Sequence, residues 1–236
     1  MSVFASLVEH LADLLQPLFG AAAAAAAIVL FTALVRLLVH PLSRAAARGQ
    51  KARTALQPRI AQLRDKHAKD PERLQKAVLE LHAAEKVSPL SGCLPSLLQA
   101  PAFFVLYHLF SSASIGGESN GLLGHRLFAA PLGDHWADAL AAGGPVGGAG
   151  LVYLALFTVV AVVATFNFLR ARRTPLPDTG GLTGGQDVPG AGVVAKAMPF
   201  MSYATLITVA VVPLAAALYV VTSTTWSAVE RAVLYR

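Results

Sequence analysis

One arginine, Arg36, stands inside a long apolar run and offers the most distinctive chemistry in the chain. Its guanidinium group stays protonated under any cellular condition, so it can hold a carboxylate or another anion. Thr32 and His40 lie one helical turn on either side of Arg36 and share its face of a helix. Because a charge inside hydrocarbon is costly, we expect this polar stripe to face a water-filled cavity. The alternative is that Arg36 extends its long side chain to the cytoplasmic interface.

Small polar side chains also occur in the other apolar runs, where they could line the same cavity. Such residues usually bond to carbonyl groups of their own helix or join neighbouring helices, so each one alone is weak evidence. Their presence in several runs favours a shared polar surface that opens to the cytoplasm. The candidates are Ser96 and Gln99, Thr158 and Thr165, Ser202, Thr205 and Thr208, and the stretch Thr222–Ser227.

The composition is that of a membrane protein. Of the 236 residues, 55% are hydrophobic and 14% are charged, and the mean hydropathy is +0.57. A helix needs about 20 apolar residues to cross the hydrocarbon core of a bilayer. We therefore predict an all-α polytopic membrane protein with five transmembrane helices. The predicted spans are 20–42, 92–112, 151–169, 197–212 and 213–236, the last two divided by a turn at Pro213 and the last including the C-terminal end.

The distribution of basic residues predicts the orientation of these spans. Segment 43–91 holds eleven Lys and Arg residues, the 170–196 linker four and the C-terminal end two, whereas the 113–150 loop holds one and the tail 1–19 holds none. Short loops rich in Lys and Arg stay in the cytoplasm. We therefore predict an extracytoplasmic N-terminus and a cytoplasmic C-terminus.

Two amphipathic pieces are predicted on the extracytoplasmic side. The tail 1–19 lacks the basic start of a secretory signal, and its apolar residues recur at helical spacing, which is typical of a helix at the membrane surface. The alternative for the tail is a frayed end. In the Gly- and Ala-rich 113–150 loop, the stretch Leu127–Leu140 is expected to form a second amphipathic piece.

The basic segment 43–91 is predicted to form a cytoplasmic helical hairpin. Its apolar residues repeat at helical spacing in two seams, Leu56, Ile60 and Leu63, then Leu74, Val78 and Leu81. Asp70 can cap the second helix, and Pro71 suits its first position. Pro58 is expected to kink or restart the first helix. The charged surface is either a solvated spacer or a docking platform for an anionic partner or anionic lipids.

Three stretches of the sequence resemble the YidC/Oxa family of membrane protein insertases. They are Leu34–Leu42, which contains Arg36, the hairpin pieces Leu56-Gln57-Pro58 and Asp70–Gln75, and Ser88–Pro95 followed by Gln99-Ala100-Pro101. The later spans are similar to the family's five-span bacterial core, with Met198-Pro199 opening the fourth and Leu218-Tyr219 in the fifth. The chain departs from the family at its C-terminal end, where Glu230-Arg231 replaces a glutamine-rich ending. It resembles a minimal or divergent member.

The resemblance implies a hydrophilic groove that is open to the cytoplasm and to lipid and closed outside. Arg36 would be the positive charge of the groove, and Gln99 would be a nearby polar group. Tyr219 would also line the groove. The groove would receive the hydrophilic segment of a nascent membrane protein and release its apolar span into lipid. The resemblance thus implies an insertase or chaperone of the bacterial cell membrane. Its implied partners are nascent membrane proteins, with the ribosome, signal recognition components and the Sec translocon as candidates.

Two other functions stay open on the sequence. A small-anion transporter or channel would use Arg36 as its binding residue, but the spans lack carboxylates for ion coupling and matched inverted repeats. An intramembrane enzyme would need His40, His108 and Cys93 as its site, and each of these is more often a packing or helix-end residue. We expect no enzymatic activity, no cofactor, no metal site and no nucleic acid as substrate.

Overall fold

The computed structural model describes residues 2–68, 70–87, 104–115, 117–173 and 198–234, and these residues are mostly helical. The helices are α1 (Ser2–Phe19), α2 (Ala23–Lys66), α3 (Pro71–Ala84), α4 (residues 104–111), α5 (Trp136–Gly143), α6 (Gly148–Arg173), α7 (Ala204–Val211) and α8 (Leu214–Leu234). Short 3₁₀ turns occupy Gly20–Ala22, Gly121–Gly124 and Met198–Tyr203. Two small antiparallel pairs join β1 (Ser114–Ile115) to β2 (Glu118–Ser119) and β3 (Arg126–Leu127) to β4 (Ala130–Pro131).

Among the described residues, two helical stretches are long and apolar enough to cross a bilayer, Ser6–Lys66 and Gly148–Arg172. The first runs through α1 and the 3₁₀ turn into α2. The last apolar block is divided at Pro213, because α7 ends at Val211 and α8 begins at Leu214. With 21 residues, α8 is about 31 Å long, whereas α7 has only 8 residues and is preceded by a 3₁₀ turn. The count of five spans and their orientation stay predictions.

The N-terminal tail is helical, as expected, and one of its faces is buried. Gly20 has a positive φ of 53°, a conformation that glycine adopts without strain, at the junction of α1 and α2. The two helices pack against each other. Small side chains allow this close approach, since the buried residues here are Val8 and Ala12 on α1 and Ala24, Ala27 and Ile28 on α2. The opposite face of α1 exposes Leu14 and Leu18.

Helix α2 runs without interruption through Pro41 and Pro58, so the expected restart at Pro58 is wrong. Proline inside a helix removes one backbone hydrogen bond and normally disrupts the helix. Here Leu56 and Ile60, on either side of Pro58, are both buried in the same apolar cluster. Because both contacts need helical register, the tertiary packing outweighs the local cost of the proline.

The α2–α3 pair is held by the residues that the sequence pattern predicts. Leu56, Ile60, Leu74 and Val78 are buried together, and Leu63, Leu81 and Val87 pack against them. Asp70 caps α3 by accepting a hydrogen bond from the backbone N–H of Arg73 at 3.0 Å. Pro71 takes the first position of the helix, where no backbone N–H is needed. An ion pair between Arg59 and Glu85 also joins the two helices. The side of the membrane on which this pair lies stays a prediction.

Truncation of the cluster is expected to separate these two helices. Leu74 is 3% exposed, so Leu74→Ala should cost about 2–4 kcal/mol through lost burial and the cavity left behind. Leu79 lies on the same helix but is 48% exposed, so Leu79→Ala is a matched control with little effect. Hydrogen exchange of the α3 amides should rise in the first variant only. Equal exchange in both would show that the cluster contributes little to holding α3 in place.

The segment between α4 and α6 is a packed cap rather than a loose loop. Leu122, Ala130 and Leu132 are fully buried. The first N–H groups of a helix have no partner within it. At the start of α8, the N–H of Leu214 donates to the carbonyl of Asp134 at 2.9 Å, and the N–H of Ala215 donates to that of Leu132 at 2.8 Å. The cap therefore provides hydrogen-bond acceptors for the first N–H groups of α8 and fixes the turn at Pro213.

The prediction of an amphipathic piece over Leu127–Leu140 is wrong for the first half of that stretch. Residues Arg126–Leu127 and Ala130–Pro131 form the β3–β4 pair, and Phe128 between them has a φ of 54°, which a right-handed helix excludes. The helix starts only at Trp136. There Asp138 accepts the backbone N–H of His135 at 2.8 Å, and this hydrogen bond holds the pKa of Asp138 below its ordinary value. The Trp136 ring packs edge-on against Phe157 and fixes α5 on α6.

Candidate functional site

Arg36 lies between α2 and α8 and hydrogen-bonds across to Ser223. The Nη2 group of Arg36 donates to the Ser223 hydroxyl. Ser223 is 6% exposed, and Tyr219, one turn earlier on α8, is 2% exposed and hydrogen-bonds to Ser223. Arg36 itself is only half-buried. A charged donor is thus held at a fixed position against the last helix while part of its side chain stays accessible.

A second polar contact joins the same two helices one turn further along α2. The Nδ1 atom of His40 lies 2.6 Å from the Oε1 atom of Glu230, with side-chain exposures of 34% and 11%. We call these five residues, Arg36, His40, Tyr219, Ser223 and Glu230, the α2–α8 seam. The seam contains a cation, a carboxylate, an imidazole and two hydroxyl groups. It can therefore attract a charged peptide segment and form hydrogen bonds with it.

The seam changes the interpretation of the polar stripe on α2. Arg36 was expected to face water, since the spans other than its own hold no carboxylate before Glu230. The structure packs one side of Arg36 against α8, where Ser223 and the nearby Glu230 provide polar surroundings, and leaves the rest of its side chain exposed. Thr32 is 1% exposed and donates to the carbonyl of Ile28 at 2.7 Å, so it bonds within its own helix. Only two of the three stripe residues therefore present polar groups across the α2–α8 contact.

A separate polar cavity lies between α6, α7 and α8. It has a volume of about 280 Å³, and we call it the α6–α8 cavity. Ser202 and Thr205, both candidates from the sequence, line it. Sequence reasoning missed Asn167 and Arg231, although a polar residue near the end of an apolar run was a signal that could have found each. The full lining is Val160, Val163, Ala164, Asn167, Met201, Ser202, Thr205, Thr224, Ser227 and Arg231.

The other sequence candidates lie elsewhere. Thr158 is exposed and donates to the carbonyl of Leu154 in its own helix at 2.8 Å. Thr165 is exposed, and its hydroxyl lies 3.1 Å from that of Tyr203. Thr222 is half-buried on α8. Ser96 and Gln99 lie outside the described residues. The structure thus divides the candidate set between the seam, the cavity and single positions on the helix surface.

Two of the three residues considered for an intramembrane enzyme, His40 and His108, lie within the described residues. The described parts of the chain contain no group of three or more His, Cys, Asp and Glu side chains that could hold a metal ion. His108 is hydrogen-bonded to Ser112 one turn away at 2.9 Å, an arrangement typical of a helix end. Cys93, the third residue considered for an enzyme, lies outside the described residues.

Comparisons with known proteins identify the family. A sequence profile described as "60Kd inner membrane protein" matches residues 14–236. The chain is 42% identical over 84 residues to the membrane protein insertase YidC of Clostridium perfringens, which is 36% of this chain and 35% of that protein. It is 40% identical to YidC of Geobacter sulfurreducens and 46% identical to YidC of Francisella tularensis subsp. novicida, each over 81 residues, or 34% of this chain and 15% of the relative.

These matches cover only about a third of this chain and at most 35% of the relatives' own length, whereas the family profile covers almost all of the chain. The profile therefore shows the family for nearly the whole chain. The chain belongs to the 60Kd inner membrane protein family, the YidC/Oxa family of bacterial inner membrane proteins.

Proposed function

We propose that the protein is a membrane protein insertase in which the α2–α8 seam receives the polar segment of a nascent membrane protein. The observation that carries this proposal is the position of Arg36, half-buried between α2 and α8 and hydrogen-bonded to Ser223. A fixed cation within the bilayer lowers the cost of moving an acidic or hydrogen-bonding segment through it. The substrate's apolar span then leaves sideways into lipid, and no covalent step is needed.

The packed cap supports entry from the side opposite to it. Its buried leucines and its hydrogen bonds to Leu214 and Ala215 close the end of the helix bundle where α8 begins. Arg36 contacts α8 near its middle, at Ser223, and His40 contacts it nearer its other end, at Glu230. A segment bound at the seam would therefore have crossed part of the bilayer while the far end stays sealed.

The orientation of the protein is part of the proposal. The charge distribution favours an extracytoplasmic N-terminus, a cytoplasmic C-terminus and a cytoplasmic α2–α3 pair. Reporter fusions after residue 236 and within 113–150 should give opposite locations. The basic α2–α3 pair would then face the ribosome, signal recognition components, the Sec translocon or anionic lipids, which are the partners we propose for it.

Reconstitution tests the insertase function directly. Vesicles that contain only the purified chain should insert a single-span protein with a short acidic tail, measured as protection of the tail from added protease. Empty vesicles provide the control. Insertion at the same level in both would contradict the proposal. Anion flux through the same vesicles, without insertion, would instead favour the rival function, a small-anion transporter that uses Arg36.

A further inference from the structure

The α6–α8 cavity has an unusual donor and acceptor set. Arg231 contributes a permanent positive charge, and Ser202 and Thr205 contribute hydroxyl groups. The Oδ1 atom of Asn167 is buried, and it has no hydrogen-bond partner among the described residues. A buried acceptor without a donor is unfavourable, so the cavity suits a ligand that brings one. The matching ligand carries both an anionic group for Arg231 and a hydroxyl or similar donor for Asn167.

The charged end of this cavity lies toward the ends of α6 and α8, and its other end reaches Val160 at the middle of α6. Asn167 and Arg231 lie near the ends of α6 and α8, and Arg172 stands 5.5 Å from the centre of the Phe168 ring. The same ring packs against Phe200 at 5.0 Å and Tyr203 at 5.8 Å. Aromatic and arginine side chains together are typical of the membrane interface.

The mouth of the cavity is apolar and open to the surface. Met201 lines the cavity and is 69% exposed. Phe200, its neighbour in the chain, is 61% exposed. In a membrane protein, exposed apolar side chains of this kind face acyl chains. A ligand whose polar part enters the cavity would therefore place an apolar part against these residues.

We propose that the α6–α8 cavity binds the headgroup of an anionic lipid that combines a phosphate with a hydroxyl group, as in phosphatidylglycerol. Arg231 holds the phosphate, Asn167 accepts a hydrogen bond from the hydroxyl, and the acyl chains lie along Met201 and Phe200. The site is separate from the α2–α8 seam and does not depend on the insertase function. A soluble glycerol phosphate shares the polar chemistry, but it leaves the exposed apolar mouth uncovered.

A displacement experiment tests this assignment. The full chain in phosphatidylcholine nanodiscs is loaded with a fluorescent phosphatidylglycerol, and unlabelled competitors are added. Phosphatidylglycerol should displace the probe about tenfold better than phosphatidylcholine, since charge-assisted hydrogen bonds supply a difference of this size. Phosphatidylmethanol has the same charge but no hydroxyl group, and it should be weaker than phosphatidylglycerol.

Two variants separate the roles of the two side chains. Arg231→Gln should remove most of the preference for anionic lipid, about tenfold, whereas Arg231→Lys should keep it. Asn167→Leu should equalise phosphatidylglycerol and phosphatidylmethanol without losing the preference for charge. Arg126→Gln, which removes an exposed charge from the 113–150 loop outside the cavity, is the matched control and should bind like the wild type.

Three results would overturn the proposal. The first is equal displacement in the wild type and in both cavity variants. The second is displacement by glycerol 3-phosphate as effective as by the lipid, which would assign the cavity to a soluble phosphate. The third is displacement by an acidic peptide at similar concentration, which would assign it to the polar segment of a substrate. Melting temperatures of the variants in phosphatidylcholine alone show whether each is folded.

Discussion

Arg36→Ala should reduce the insertion of substrates with acidic tails about tenfold and leave neutral tails almost unchanged. A hydrogen bond to a charged group contributes about 1.5–3 kcal/mol, which is a factor of 10 or more in binding. Arg36→Lys should retain much of the activity, because a point charge is enough where no bidentate geometry is required. The measurement is the initial rate of insertion for matched acidic and neutral tails.

Arg44→Ala is the matched control for this experiment, because it removes an exposed arginine from the same helix. It should leave both tails unaffected. If Arg36 only extended to the interface, Arg36→Ala would be tolerated or stabilising, because it would remove a charge from the bilayer. Near-normal insertion of both tails in Arg36→Ala would therefore contradict a functional role for this residue.

The second large effect is expected at the cap. Leu132 is fully buried, and its carbonyl accepts the N–H of Ala215. Leu132→Ala should destabilise the protein by about 3 kcal/mol through the cavity it creates. For a chain of this size, that corresponds to a fall in Tm of about 6–12 °C. The proposed function has the cap seal one end of the bundle, so vesicles that contain the variant should also become more permeable to small ions.

Leu140→Ala is the control, since Leu140 lies on α5 in the same loop but is 40% exposed. It should change neither Tm nor permeability by a measurable amount. A lower Tm of Leu132→Ala without any leak would show that the cap stabilises α8 but does not seal the bundle. An unchanged Tm would contradict the packing of the cap altogether.

The parts of the structure that the sequence predicts well are those set by local patterns. The apolar faces that join α2 to α3 follow from helical spacing. Asp70 and Pro71 mark the start of α3 through capping and backbone restriction. The division at Pro213 follows from the missing proline N–H. In each case the physical cause lies within a few residues of the feature.

The parts that the sequence did not predict depend on contacts between distant segments. Helix α2 continues through Pro58 because Leu56 and Ile60 are buried against α3, which local propensity does not contain. The cap is held by hydrogen bonds between the 132–134 backbone and α8. Spacing alone could not show that Arg36 meets Ser223, since this contact depends on how α2 and α8 pack.

Site-specific crosslinking to a nascent chain on the ribosome tests directly whether a substrate binds at the α2–α8 seam. One photoreactive residue replaces Val39, which is half-buried and one turn from Arg36, so the Arg36–Ser223 and His40–Glu230 contacts are kept. A second replaces Leu38, which is 80% exposed and lies on the opposite face of α2 from Arg36. The polar tail of a membrane protein substrate should crosslink to position 39 and not to position 38. Crosslinks of equal strength from both positions, or from position 38 alone, would contradict a substrate site at the α2–α8 seam.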